Sequence, residues 1–332
     1  MKKYILIFIS VLTLSFNAKA QDGFEGYLLA SDNDRSKLVE AYINPAMKGL
    51  IQSMNNGWYH TAKVHKKFGF DISIGLNASL VPSEDEMFTL SGLTSINAGS
   101  ITAATIAGSE KTTPLTTVNY TYNGTTYSTT FNAPGGIKEN LPLNAMPAPA
   151  VQLNLGLPFK MDVMLRYVPK VGSDDVKGDL LGLGLKKEIT SWFGPLDKLP
   201  LHVSLLAAYT TMNVDYNITD SGDIDVTNGV AEFKLNSYTV QAIASLNFPI
   251  INIYGGLGYG SGSSTLKMLG NYKLLYGPLS RTIIDPINSK FDASAFRTTI
   301  GTRLSLGFFK IFGSYTFQEY NTANLGIAFS IR

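Results

Sequence analysis

The 332-residue chain has no cysteine. That excludes disulfide staples, thiolate metal ligands and a lipid-modified cysteine. Histidine is nearly as scarce. His60, His65 and His202 are too few and too scattered for a structural zinc site, which takes three or four close ligands. On one strand, His60 and His65 would face opposite sides. No metal or other cofactor is therefore expected. The chain also lacks a phosphate loop and a G-x-S-x-G elbow. The run Gly255–Gly262 has the wrong spacing for either and fits a bent or crowded strand. Long apolar runs are missing too. After the stretch Tyr4–Phe16, no segment approaches the ~18 residues of a membrane-spanning helix. If such a chain enters a membrane, it must do so as a closed barrel, because only helices and barrels satisfy every backbone group in lipid.

Charge is low, with Asp, Glu, Lys and Arg making up 16% of residues, and much of the basic excess sits at the N-terminus. Lys2 and Lys3 precede the apolar run, and Ala18-Lys19-Ala20 follows it. This is the layout of an export signal over residues 1–20, cleaved after Ala20. Without Lys2, Lys3 and Lys19 the chain holds 24 basic residues against 25 acidic ones. No basic field remains to attract nucleic acid.

What the chain does have is glycine, 31 residues, and aromatics, with 18 Phe and 17 Tyr. Residues 21–57 carry a helical period. Ser31 and Asp34 suit a helix start. Leu38, Val39, Tyr42 and Ile43 share a face, Asn44-Pro45 interrupts, and Met47, Leu50, Ile51 and Met54 continue at i, i+3, i+4, i+7. Gly57 is a good stop. Two short helices are expected, forming a plug inside a barrel or a small cap on its rim. From Trp58 the period becomes two. Phe68, Phe70, Ile72, Ile74, Leu76, Ala78 and Leu80 alternate with Gly69, Asp71, Ser73, Gly75, Asn77 and Ser79. Similar rows run through 151–157, 159–167, 201–209, 238–246, 251–259, 296–305 and 309–317. Strands of this length suit a tilted membrane crossing of roughly 9–11 residues. Trp58, Tyr59, Tyr167, Tyr209, Tyr254 and Tyr320 lie near strand ends, where an interfacial girdle would be. The fold class expected is all-β: a transmembrane antiparallel barrel over 58–332, of about 14 strands and within 12–16. A secreted soluble β-protein is the alternative. Pro158, Pro249 and Gly307 mark tight turns. The polar stretches 91–115, 132–147, 213–228 and 276–291 would be extracellular loops, and Asn123-Gly124 a hairpin turn. Lys186–Phe193 could form one helical turn at the membrane rim.

Asp71, Asp162, Arg166, Arg297 and Arg303 fall on the small, polar strand faces, which would line the lumen. There they either pair to lock the plug or line a path for a solute; on the lipid face a charge would cost roughly 2–4 kcal/mol at midplane. His202 and Ser204 share a strand face and are the only arrangement suggesting a rim hydrolase.

The last residues, Asn324–Arg332, place Leu325, Ile327, Phe329 and Ile331 on one face and Asn324, Gly326, Ala328 and Ser330 on the other. This strand resembles the C-terminal insertion signal of Gram-negative outer-membrane barrels, and it would close the barrel against a first strand near Trp58. Asn44-Pro45-Ala46, Met146–Leu157 and Gly182–Trp192, ahead of Leu199-Pro200, resemble an uncharacterised family of outer-membrane barrels, distantly similar to the FadL-type transporters of hydrophobic compounds. The resemblance implies an outer-membrane location, an N-terminal hatch, a lateral opening through a kinked strand, and partners that are outer-membrane lipid, the barrel-insertion machinery and small hydrophobic molecules. The expected function is passive uptake or diffusion of such molecules, without enzymatic activity. The alternatives are a non-transporting surface barrel serving as adhesin or assembly partner, and an outer-membrane lipid hydrolase.

Overall fold

The computed structural model describes residues 24–96, 102–172, 176–220 and 224–331. The export segment expected over residues 1–20 lies outside them.

A 3₁₀ turn, Phe24–Leu29, leads into one helix, α1 (Asp32–Met54). Ser31 caps it, its hydroxyl accepting from the Asp34 amide at 3.4 Å. The break expected at Pro45 does not occur. Proline removes one helical donor, but Leu38, Val39, Tyr42, Ile43, Ala46, Met47, Ile51 and Met54 are all buried around it. The neighbouring Tyr42 carbonyl takes the Ile106 amide at 2.9 Å instead. Packing on several sides overrides the local penalty.

The strands are β1 (Phe70–Leu80), β2 (Met87–Thr89), β3 (Thr102–Ala104), β4 (Leu115–Tyr122), β5 (Thr125–Asn132), β6 (Ala145–Leu157), β7 (Met161–Gly172), β8 (Val176–Glu188), β9 (Leu201–Ile218), β10 (Ile224–Asn247), β11 (Ile251–Tyr276), β12 (Leu279–Ile284), β13 (Ile287–Leu306), β14 (Phe309–Phe317) and β15 (Thr322–Ile331). Ten of them close a ring in the order β1-β6-β7-β8-β9-β10-β11-β13-β14-β15, and β15 returns to β1 with Phe70 opposite Ile331. Every pairing in the ring is antiparallel. The count is ten rather than about 14 for two reasons. The strands β10 and β11 are 24 and 26 residues long. The described residues of 81–144, between the first two barrel strands, add no strand to the ring; their strands pair as the small ribbons β2–β3 and β4–β5. The latter turns at Asn123-Gly124, both at positive φ, as the sequence leads one to expect. The closing partner of β15 begins at Phe70, not near Trp58, because residues 55–65 run through the interior before the chain reaches the wall.

The ring is inverted relative to a soluble protein. Leu325 is 71% exposed and Ile300 59%, while Asp71 and Asp162 are fully buried. Exposed Tyr167, Tyr209, Tyr238, Phe296 and Phe317 form an outward aromatic belt. From this belt to the strand base, Leu201–Tyr209, Tyr238–Leu246, Phe296–Leu304 and Phe309–Phe317 each span nine residues, within the ~9–11 that cross a bilayer. The fold is a transmembrane β-barrel. Trp58, Tyr59, Tyr254 and Tyr320, expected in the girdle, are instead buried, since their segments point inward. Phe159, expected in an apolar strand row, sits at positive φ in the β6–β7 turn. Lys186–Glu188 belong to β8, and the rim helix runs over Thr190–Lys198. Short turns at 158–160, 248–250 and 307–308 lie at the end carrying the C-terminus, together with the longer connection 189–200; the longest connection, 81–144, lies at the other.

Candidate functional site

The helix α1 and the extended residues 55–65 occupy the lumen, and the wall residues singled out in the sequence converge on them. Helix α1 has no basic residue in its final turn, and its last carbonyls need partners from outside the helix. The wall supplies the cations. Arg166 Nη1 donates to the Met54 carbonyl at 3.0 Å and Nη2 to that of Asn56 at 2.8 Å. Arg297 Nη1 donates to the Asn55 carbonyl at 2.7 Å and Nη2 to Asn56 Oδ1 at 2.9 Å. Positive charge at a helix C-terminus is favoured by the helix dipole. The Arg166 guanidinium also lies 3.8 Å from the centre of the Trp58 ring. Gly182 and Gly184 on β8 make room for that ring: a Cβ at either would stand 3.0 Å from it.

Toward the end carrying the C-terminus, a chain of polar groups continues the latch. Arg303 Nη1 lies 3.0 Å from His60 Nδ1. Arginine only donates, so Nδ1 accepts and Nε2 carries the proton toward Asp71 Oδ2, 3.3 Å away. His65 sits between two carboxylates, with Nε2 3.0 Å from Asp71 Oδ2 and Nδ1 3.1 Å from Asp162 Oδ2. Ionised carboxylates only accept, so both ring nitrogens donate and His65 is an imidazolium. Lys186 completes the group, 3.0 Å from Asp162 Oδ2. Asn154 donates to Asp71 Oδ1 at 2.5 Å. All five singled-out residues thus meet residues 54–65. The histidines are not on one strand, as expected, but in the interior segment, where both reach Asp71. Their role is invisible locally, because their partners lie on β1, β7 and β13. Among the described residues no group of three or more His, Asp or Glu could hold a metal ion.

Above this floor most of the buried residues are apolar, with Glu25, Asp34 and Arg35 buried beside them. Tyr27, Leu28, Leu38, Tyr42 and Met47 pack against Leu235, Leu266, Met268, Tyr272 and Phe291 of the wall. Tyr276 ties Phe24–Leu29 to the wall by donating to the Leu29 carbonyl at 2.7 Å, and Phe131 of β5 closes over Tyr27 with ring centres 5.9 Å apart.

One stretch of wall is not zipped. β6 pairs with β1 along Ala145–Leu155, but with β7 only along Gln152–Leu157. Ala145–Val151 and Tyr167–Gly172 therefore face each other without a ladder. Residues 144 and 156 bond β1 or its approach, through Val81 and Gly69. The even residues of β6 consequently point their backbone groups at β1 and the odd ones at β7. Pro147 and Pro149 are odd, so the donors missing from β6 are those that would bridge to β7. Pro169 stands opposite, in a bulge of β7 between Val168 and Val171. The seam begins at the level of Tyr167, in the outer aromatic belt, and runs outward.

The pair His202 and Ser204 is divided. Ser204 donates its hydroxyl to the Ala62 carbonyl at 2.5 Å, and His202 Nδ1 lies 3.1 Å from Glu188 Oε1.

A family model described as "Family of unknown function (DUF6588)" matches residues 1–331. The chain belongs to that family. No curated protein matches this DUF6588 chain. Among solved structures it is similar to the attachment invasion locus protein Ail of Yersinia pestis, at 11% identity and a TM-score of 0.28, over 80% of this chain and 100% of that one. It is also similar to the translocator domain of the autotransporter NalP from Neisseria meningitidis, at 10% identity and a TM-score of 0.32, over 80% and 89%. The outer-membrane protease OmpT of Escherichia coli gives 8% identity and a TM-score of 0.31, over 80% and 99%.

Proposed function

We propose that this DUF6588 protein is an outer-membrane barrel that passes small hydrophobic molecules sideways, from its outer lumen into the membrane. The observation that carries this reading is the unzipped wall between Ala145–Val151 and Tyr167–Gly172. A lumen mostly apolar above and charged below supports it, because an apolar solute gains by leaving water for the upper layer and loses by entering the lower one. The floor built on Arg166, Arg297, Asp71 and Asp162 opposes straight passage to the far side. The route then requires Phe24–Leu29 to shift from beneath Phe131. The protein needs no catalytic group for this, and the engaged hydroxyl of Ser204 fits a barrel that is not a hydrolase.

The outer lumen filled by Tyr27, Leu28 and Tyr42 favours one second reading, a sealed barrel that presents its ribbons β2–β3 and β4–β5 to a partner. Proteoliposomes separate the two. Transfer of a fluorescent long-chain acid from the outer solution into the bilayer should be faster with the protein than without it, at negligible ionic conductance. Equal rates with and without protein would leave only the sealed barrel.

A further inference from the structure

At the mouth carrying the C-terminus, below the latch, the wall and the interior segment line an open hollow of ≈ 380 Å³. Lys63, Arg303, Asn247, Asn252 and Ser305 supply its polar lining, and Phe248 and Pro249 one apolar side. No acidic residue lines it. Two buried groups here are unpartnered among the described residues: Arg303 Nε and Asn252 Oδ1. Both residues are more than nine-tenths buried. Arg303 spends Nη1 on the neutral His60 rather than on a carboxylate. The Lys63 ammonium, on the exposed side, has no ion-pair partner among the described residues. Lys310 also stands near this mouth, in the field of Arg303, Lys186 and Lys63 opposed by that of Asp71.

A buried guanidinium nitrogen without an acceptor is a costly arrangement. An oxyanion in the hollow relieves it, since Nε, the Lys63 ammonium and the Ser305 hydroxyl are all donors. The Asn252 amide can present its NH₂ in place of Oδ1, as an amide flip interchanges the two. The face is inward, away from lipid, which selects a soluble ligand over a lipid headgroup. We infer that this hollow is a binding site for a small soluble organic anion, bearing a phosphate or carboxylate group held by Arg303, Lys63 and Asn252 and a short carbon skeleton against Phe248 and Pro249.

The test is calorimetric titration of the refolded full chain in neutral detergent, with inorganic phosphate and with succinate, against sodium chloride of equal ionic strength. Saturable one-to-one binding of either anion is expected, and the tighter of the two identifies the anionic group. Lys63→Gln should weaken it about tenfold, the loss of one charge-assisted contact. Asn252→Asp places a tethered carboxylate beside Arg303 and should abolish binding, with heat-modifiable mobility and thermal midpoint retained. The absence of saturable heat beyond the chloride control overturns the site, as does undiminished binding in Asn252→Asp.

Discussion

Arg166 touches the helix end, the wall and Trp58 at once. Removing it leaves the Met54 and Asn56 carbonyls unpaired and the indole without its cation. Arg166→Ala should therefore destabilise the barrel by about 3 kcal/mol, read from the urea midpoint of the refolded protein. Asp34 makes the second residue-scale prediction. Burial alone would raise its carboxyl, but four hydrogen bonds, from the amides and hydroxyls of Ser95 and Thr94, outweigh it and hold the group below its ordinary value. A lowered folded value contributes stability above the unfolded value of about 3.9, and that stability is lost as pH falls through the folded value. Wild type should lose stability below about pH 4 more steeply than Asp34→Asn, which lacks that titration; parallel curves would contradict this. The sequence showed that Asp71, Asp162, Arg166, Arg297 and Arg303 face inward, because a period of two reports the face. It did not show what they hold, because residues 54–65 meet them only through long-range folding. His60 and His65 were misread for the same reason, as extended residues without a ladder look like strand.

At the scale of elements, the alternating rows of β1, β9 and β15 were legible, since lipid outside and polar groups inside leave a clean pattern. Strand number was not. Beyond the membrane β10 and β13 turn their polarity around, with Leu235, Ile287, Phe291 and Ala293 inside and Lys234, Lys290 and Asp292 outside, so the lipid-facing pattern stops while the ladders continue. Helix α1 shows the converse: Pro45 is a strong local signal that surrounding packing overrides. The prolines of β6 are plain in the sequence, but their meaning depends on which neighbour each amide faces. Pro147→Val together with Pro149→Val restores two donors toward β7. Amide hydrogen exchange should find both new amides protected; rapid exchange at both would show that the prolines do not keep the seam open.

For the whole molecule, closure rests on β15 pairing with β1 on one side and β14 on the other. Without Thr322–Ile331 both strands become open edges, which lipid does not tolerate. A chain lacking 322–331 should fail to give a heat-modifiable band in membranes. The barrel divides into a charged floor, a mostly apolar upper lumen and a side seam, and transfer of a hydrophobic fluorophore tests that division. Proteoliposomes carrying wild type should load their bilayer faster than those carrying the Pro147→Val, Pro149→Val barrel, which should fall to the protein-free rate while retaining wild-type heat-modifiability. Equal loading by the two barrels would contradict sideways delivery through β6 and β7.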